Sequence, residues 1–301
     1  MSANKTVVAI GVFDGVHLGH QALTTEACAV AAEHGLLPIA LTFMPHPMTV
    51  VRGMRIEMLT GIERRVELLK DQGMHHVHVC EFTPERAGQL PAEFIKAILI
   101  EQLGATHIVI GKGFRFGKGA AGTAEDFREA GLIVHEVEQV LVHGSRVSST
   151  RIRELILRGE VSAATELLSR DHRFEGIVVG GHKRGRELGY PTANVSPQWD
   201  QCVPADGVYA GWLRVLGTDG LVTKQWPAAI SVGTNPTFND VVTRVVEAYA
   251  LHETDLELYD LRVAVDFVAR VRPMEKFSSL EELISAMGRD VAQTERILGL
   301  A

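Results

Sequence analysis

The sequence predicts an α/β protein with an N-terminal doubly wound, Rossmann-like domain and a C-terminal small β-barrel of the six-stranded type, followed by a helix. Three observations support this prediction. At 301 residues the chain is longer than one typical hydrophobic core requires. Short apolar runs alternate with helical patterns as far as about residue 145, whereas after Asp171 short strands follow one another without helices between them. We therefore expect domains at residues 1–170 and 171–301.

The N-terminal half is predicted to alternate strands with helices. Apolar runs rich in Val, Ile, Leu or Phe lie at 7–12, 37–43, 77–82 and 107–110. Helical patterns lie between them, at about 19–34, 61–72 and 92–103. Thr60 with Glu63 predicts a capping box at the second helix, and Pro91 suits the first turn of the third. This alternation predicts a parallel sheet that binds its ligands at the carboxyl ends of the strands.

The C-terminal half has a different pattern of predicted secondary structure. A helix is expected from about 149 to 168, with Gly159 breaking it into two pieces. The strand-like runs that follow are Ile177–Val179, Val208–Val215, Ala228–Val232, Val245–Leu251 and Val263–Val271. Regular short strands with turn residues between them are typical of a small barrel. Ser279 with Glu282 predicts a capping box for a last helix, whose apolar face would carry Leu280, Leu283, Ile284 and Met287.

Composition limits the classes of function. The net charge is −7, with no block of like charges, which disfavours a nucleic acid as the main partner. Cys28, Cys80 and Cys202 are too widely spaced for a CxxC site and fit free thiols in a reducing compartment. No apolar run approaches the ~20 residues of a membrane span, and no leader segment is recognisable. We expect a cytoplasmic protein that is a monomer or weak homo-oligomer and takes small molecules as partners.

A histidine-bearing turn follows the first predicted strand. Gly11–His20 reads Gly-Val-Phe-Asp-Gly-Val-His-Leu-Gly-His, so a glycine-bearing loop leads into a helix with His17 and His20 on its first turn. Such a turn presents unpaired backbone N–H groups and the helix dipole to an anion, and residues at i and i+3 face the same way. A capping histidine beside a surface histidine is the alternative. Zinc is less favoured because two further ligands are not indicated nearby.

A second polar cluster opens the helix predicted near residue 149. Residues 146–153 read Arg-Val-Ser-Ser-Thr-Arg-Ile-Arg. Ordinary N-capping by Ser148 or Ser149 is one interpretation. Hydroxyls, backbone N–H groups and guanidinium forks together also suit a triphosphate.

These motifs resemble the nucleotidyltransferase superfamily distantly related to class I aminoacyl-tRNA synthetases. The extended motif at 11–20 is similar to the FMN adenylyltransferase module of prokaryotic FAD synthetases, and residues 42–47 and 114–117 match it too. Residues 181–194, Gly-His-Lys-Arg-Gly-Arg-Glu-Leu-Gly-Tyr-Pro-Thr-Ala-Asn, resemble the riboflavin kinase signature. Further matches lie at 204–209, 233–238, 246–248 and 272–277, so the resemblance covers nearly the whole chain.

The resemblance implies a bifunctional enzyme that phosphorylates riboflavin to FMN with ATP, then adenylylates FMN to FAD and releases pyrophosphate. Its small-molecule partners would be ATP, riboflavin, FMN and FAD, with Mg²⁺ accompanying ATP. It implies catalytic roles for His17, His20 and Glu247, the last as base for the riboflavin hydroxyl. It implies flavin contacts at His46, Phe114 and Arg115, and metal ligands at Thr192 and Asn194. The implied nucleotide contacts are Gly11, Phe13, Asp14, Arg146, Ser149, Thr150, Arg153, Gly181, Lys183, Arg186, Thr192 and Asn194.

Two positions depart from the family pattern. Gly113 stands where the family usually has Asn or Asp, and Asp260 stands where a turn glycine is usual. Asp260 would strain its turn if a positive φ is required there. Gly113 motivates an alternative, a riboflavin kinase with an impaired adenylyltransferase module. A non-catalytic flavin-binding regulator is the alternative from a different class.

Overall fold

The computed structural model describes residues 5–180, 190–236 and 242–301 and divides into two compact units, Met1–Ser149 and Thr150–Ala301. The first unit contains a five-stranded parallel sheet of order β3-β2-β1-β4-β5. The predicted doubly wound N-terminal fold is confirmed. Its strands are β1 Thr6–Ile10, β2 Leu37–Met44, β3 His76–Glu81, β4 Ala105–Gly111 and β5 Ile133–Val137, with a small hairpin of β6 Leu141–Val142 and β7 Ser145–Arg146.

Helices cover the two faces of this sheet. They are α1 Leu18–His34, α2 Pro47–Arg52, α3 Ile62–Asp71, α4 Pro84–Ala87, α5 Pro91–Phe94 with a π-helical continuation Ile95–Gln102, and α6 Ala124–Glu129, besides a 3-10 turn at Lys118–Ala120. Val7 and Ala9 of β1 pack against α1 and α3, whereas Val8 and Ile10 pack against the π-helical segment on the other face. Burial on both faces explains the continuous apolar run of β1.

The helix starts agree with the sequence in part. Pro91 occupies the first turn of its helix as predicted. The capping box predicted for Thr60 and Glu63 is wrong, because the N-cap of α3 is Gly61, without a side-chain cap bond. The Thr60 hydroxyl accepts a hydrogen bond from the backbone N–H of Gly15 instead, at 3.0 Å. A tertiary contact to the histidine turn has therefore replaced a local cap.

The second unit is a closed antiparallel barrel of six strands, as predicted, ordered β10-β11-β12-β9-β8-β13. Its elements are α7 Ser149–Leu157, of which Ser149 belongs to the first unit, α8 Val161–Leu168, β8 His172–Val179, β9 Ala193–Pro197, β10 Gly207–Leu216, β11 Val222–Pro236, β12 Val242–Ala250, β13 Arg262–Pro273 and α9 Leu280–Leu298. The break near Gly159, which has φ +79°, is confirmed. Alternate residues such as Tyr209, Leu213 and Val265 fill the barrel interior.

The last helix presents a different face from the predicted one. Ser279 caps it by accepting the N–H of Glu282, as predicted, whereas the Glu282 carboxylate accepts the N–H of Ser278 at 2.9 Å, which is not the partner that the predicted capping box requires. Its buried residues are Ala286, Asp290 and Thr294, whereas Leu280 and Ile284 are exposed. Asp290 is tolerated on the buried face because Arg272 donates to both of its carboxylate oxygens, each at 2.8 Å. A bidentate ion pair thus overrides the apolar pattern.

Three imidazole rings stack beside the first sheet. Their arrangement leads us to expect that the free energy of unfolding falls in acid. His107 of β4 is 7% exposed and lies between His34 of α1, at 4.8 Å, and His135 of β5, at 5.5 Å between ring centroids. Glu26 lies 3.6 Å from His135. Burial, and then the neighbouring His34 and His135, lower the pKa of His107 below its usual 6.5.

A lowered pKa means that the unfolded chain binds a proton more readily than the folded one. Below about pH 6.5 protonation of His107 therefore stabilises the unfolded state relative to the folded one, and the free energy of unfolding falls as the pH falls toward the lower folded pKa. We expect urea unfolding at pH 7.5 and 5.5 to show a larger loss of stability for the wild type than for His107→Gln. The exposed His75→Gln serves as control and should behave like the wild type. Equal losses in all three proteins would contradict the prediction.

Candidate functional site

The first candidate site lies where β1 ends and α1 begins. His17 is the N-cap of α1, and its Nδ1 accepts the backbone N–H of His20 at 3.3 Å. Because Nδ1 accepts, a neutral His17 ring carries its proton on Nε2, which is a donor. The first N–H groups of a helix have no partner within the helix. The helix start therefore joins backbone dipoles to an imidazole donor, an arrangement suited to an anion.

The two predicted histidines lie together. The rings of His17 and His20 stack with centroids 3.7 Å apart and planes 13° from parallel. A side chain at Gly19 would meet the His17 ring at 3.2 Å, so glycine gives this ring its room. Phe13 is fully buried in the core, and the centroids of its ring and the His20 ring lie 5.1 Å apart, with the two planes 62° from parallel. Phe13 thus packs the His20 ring against the hydrophobic core.

Asp14 is buried, and its carboxylate is turned toward the segment before α3. It accepts the backbone N–H groups of Leu59, at 3.0 and 3.1 Å, and of Thr60, at 3.1 Å. Its carbonyl oxygen accepts the hydroxyl of Ser149 at 2.9 Å. The structure therefore brings Ser149, the first residue of α7, to the histidine turn. Gly11 lies at the same turn and donates its N–H to Leu41 at 3.1 Å.

The other candidate residues of the polar cluster at 146–153 are divided between the two units. Arg146 is exposed on β7 of the first unit. Thr150 and Arg153 lie on α7 in the second unit. Their spacing of three residues places them on one face of that helix.

The predicted flavin contacts lie on two loops of the first unit. His46 caps α2, its Nδ1 accepting the N–H of Met48 at 3.1 Å. Phe114 packs against the sheet core beside Phe116, and Arg115 is exposed. Gly113 has φ +78° and open space around the position of a side chain. Glycine adopts this backbone conformation without strain, whereas a residue with a side chain would be strained there.

The second candidate site lies on the barrel, where β9 pairs with β12. Glu247 and Asn194 are directly opposite each other in this antiparallel pair. Val246, Ala248 and Val195 point into the core, so Glu247 and Asn194 project from the other face. The Thr192 hydroxyl donates to Glu247 Oε2 at 3.4 Å. Strand register thus gathers an acid, an amide and a hydroxyl that are up to 55 residues apart in sequence.

A cavity of about 520 Å³ adjoins this trio. Thr192 and Asn194 line it together with the apolar Leu213 and Ala250 and with residues 253–259 and 261 of one loop, and Glu247 does not line it. Asp260 in this loop has φ +62°. A positive φ is therefore required at this position, which is the condition under which we expected an aspartate in place of glycine to strain the turn.

The signature residues Gly181, Lys183 and Arg186 lie outside the described residues. Within the described ranges, no group of three or more His, Cys, Asp or Glu side chains could hold a metal ion by itself. Thr192 and Asn194 contribute neutral oxygens, which suits an ion that keeps its waters and phosphate ligands.

Sequence reasoning missed one buried residue beside the histidine turn. Arg65 lies on the buried face of α3 with Leu68 and Leu69 and is 1% exposed. The signal was present, because spacings of three and four residues place Arg65 on the apolar stripe of a helix. A charged residue at such a position requires buried partners.

Two family models match the chain in succession. One, described as FAD synthetase, matches residues 1–151, and the other, described as riboflavin kinase, matches residues 168–298.

No helix among the described residues is long and apolar enough to cross a membrane.

Curated relatives match over nearly the full length. A bifunctional riboflavin kinase/FMN adenylyltransferase of Listeria monocytogenes is 34% identical over 96% of this chain and 91% of its own. The protein of that name from Bacillus subtilis is 31% identical over 97% and 92%, and the one from Escherichia coli K12 is 30% identical over 98% and 93%. A crystal structure described as a macrolide-efflux protein from Streptococcus pneumoniae superposes with a TM-score of 0.88 at 31% identity, covering 98% of this chain and 95% of that one.

Proposed function

The chain belongs to the family of bifunctional riboflavin kinase/FMN adenylyltransferases, and from that premise we propose which residues carry each of its two reactions. The riboflavin kinase reaction forms FMN from riboflavin and ATP, and the adenylyltransferase reaction forms FAD and pyrophosphate from FMN and a second ATP. One observation carries the assignment of residues. Each matched half has its own cluster of reactive side chains, the stacked histidines in one and the Glu247 trio in the other.

In the first unit, an FMN phosphate oxygen attacks the α-phosphorus of ATP, and the bond from that phosphorus to the pyrophosphate oxygen breaks. His17 and His20 stabilise the negative charge that develops on the transferring group. The α1 N-terminus adds its dipole. Ser149 and Arg146 hold the departing phosphates, because hydroxyls and guanidinium groups bind phosphate oxygens strongly. Thr150 and Arg153, which belong to the second unit, are assigned to the same phosphates on sequence grounds alone. His46, Phe114 and Arg115 contact the FMN.

In the second unit, Glu247 accepts the proton of the riboflavin 5′-hydroxyl as that oxygen attacks the γ-phosphorus of ATP, and the bond from that phosphorus to the bridging oxygen breaks, releasing ADP. The loop lining the cavity carries Glu253, Asp255 and Glu257. These carboxylates repel phosphates, so that end of the cavity suits the uncharged adenosine. The triphosphate then extends past Thr192 and Asn194 toward Glu247. Gly181, Lys183 and Arg186 are assigned to the phosphates on sequence grounds alone.

Mg²⁺ is the proposed metal of this step. Bound with ATP, it neutralises charge on the phosphates. Thr192 and Asn194 would hold it through one hydroxyl and one amide oxygen, which fits a small, hard cation that is usually bound by few protein ligands. We further place the chain in the cytoplasm, in line with its free cysteines. We also propose that it is a monomer or weak homo-oligomer.

A time course with riboflavin, ATP and Mg²⁺ tests both modules together. We expect riboflavin to fall, FMN to rise and then fall, and FAD to follow with pyrophosphate. FMN that accumulates without FAD would support instead the kinase with an impaired adenylyltransferase, the possibility raised by Gly113. Flavin binding without any phosphorylation would support a regulator and contradict the proposal. FMN supplied directly with ATP isolates the second reaction.

A further inference from the structure

Arg65 is a buried arginine that neither proposed reaction uses. It is 1% exposed and lies in the first turn of α3. A guanidinium group removed from water costs free energy unless acceptors surround it. The acceptors around Arg65 therefore identify the parts of the chain that it holds together.

The Arg65 guanidinium joins three segments at the carboxyl end of the sheet. Its Nη1 donates to the carbonyl of Val12 at 3.1 Å, and to the Thr42 hydroxyl and the Phe43 carbonyl at 3.3 Å each. Its Nη2 donates to the carbonyl of Thr60 at 3.3 Å. Val12 lies in the loop that leads to His17, whereas Thr42 and Phe43 lie near the end of β2. One planar group thus ties the histidine loop to a neighbouring strand and to the start of α3.

Asp14 and Thr60 extend this connection. Arg65 Nη2 lies 3.9 Å from Asp14 Oδ1, and both side chains are 1% exposed. The Thr60 hydroxyl accepts the Gly15 N–H and lies 3.4 Å from Asp14 Oδ1. The loop is consequently held through Val12, Asp14 and Gly15, the residues just before the catalytic imidazoles.

The loop needs such restraint because its backbone is strained. Phe13 has φ +54° and Val16 has φ +39°, in the left-handed region that side chains rarely adopt. Val16 is β-branched, for which this conformation is least favourable. Strained residues keep their conformation only where surrounding contacts determine it. Val16 directly precedes His17, so relaxation of the loop would move the imidazole pair.

From these contacts we propose that Arg65, together with Asp14 and Thr60, is a positioning residue for FMN adenylylation, acting through the loop on His17 and His20. The inference rests on the proposed function of the first unit. Because Arg65 touches no substrate in this scheme, its loss lowers kcat for FAD formation and leaves the KM for ATP and FMN nearly unchanged.

Arg65→Lys tests the proposal, since lysine keeps the charge but lacks the planar fork that reaches three segments. We expect kcat for FAD formation from FMN to fall about 10- to 100-fold, KM for ATP to change less than about threefold, and FMN formation from riboflavin to stay unchanged. Arg64→Lys is the matched control. Arg64 is the preceding residue and pairs with Glu67 on the helix surface at 2.9 Å, so both reactions should be unaffected.

Thr60 provides a second pair of variants if Arg65→Lys does not fold. Thr60→Val removes the hydroxyl that holds Gly15, whereas Thr60→Ser retains it. We expect Thr60→Val to lower kcat and Thr60→Ser to restore it. A raised KM with unchanged kcat would overturn the proposal in favour of substrate binding, and a lowered melting temperature with unchanged kinetics would reduce the network to a structural role. A wild type that forms no FAD would refute the proposed function itself.

Discussion

His20→Ala is expected to lower FAD formation from FMN and ATP by about 10²- to 10³-fold, the loss typical when one group aimed at developing charge is removed. The His20 ring stacks on His17 at 3.7 Å at the start of α1, where charge would develop on the transferring group. Alanine removes this ring and also the surface against which His17 stacks. FMN formation from riboflavin should be unchanged, because the Glu247 trio belongs to the other unit. Initial rates of FAD and FMN formation, measured separately, check the prediction.

His34→Ala is the matched control for this variant. It removes the same type of side chain from the last turn of the same helix, about 16 residues from the reacting end. Its rate of FAD formation should equal that of the wild type. A His20→Ala protein that forms FAD at the wild-type rate would remove the histidine pair from the mechanism. Equal losses in both reactions would indicate a general folding defect instead.

The sequence predicted the architecture well where burial is continuous. β1, with its five buried residues, and the long helix α1 follow directly from the apolar pattern. The edge strand β5 was missed because it is short and partly exposed, with polar His135 and Glu136 interrupting its pattern. β8 begins at His172, earlier than predicted, because its charged residues pair with partners such as Asp266 on the neighbouring strand β13. Arg173, for example, binds Asp266 at 2.7 Å.

The candidate sites were predicted only as far as local spacing allows. His17 and His20 lie three residues apart on one helix turn, so their proximity follows from helix geometry. The hydrogen bonds that Asp14 accepts from Leu59 and Thr60, which follow it by 45 and 46 positions, depend on tertiary packing. The same is true of Glu247 and Asn194, which meet only because β12 and β9 adopt one particular register. A shift of that register by one residue would turn the two side chains to opposite faces.

Glu247→Gln is expected to lower FMN formation from riboflavin by about 10²- to 10⁴-fold, the range typical of a lost general base. Glutamine keeps the size of the side chain and an oxygen that can accept the Thr192 hydroxyl, which lies 3.4 Å from Glu247 Oε2. It cannot take up the proton of the riboflavin hydroxyl. The loss should therefore appear in kcat, with little change in the KM for ATP. Phosphorylation of riboflavin under saturating ATP checks the prediction.

The Glu247 variant also separates the two reactions in the direction opposite to His20→Ala. FAD formation from supplied FMN should be unchanged, so the protein would stall at riboflavin yet complete the second step when given its product. Asp219→Asn is the control, because Asp219 is an exposed carboxylate in the turn between β10 and β11, away from the β9–β12 pair. An unchanged phosphorylation rate in Glu247→Gln would exclude Glu247 as the base. Raised KM with unchanged kcat would assign it to binding, because a proton acceptor acts on the chemical step.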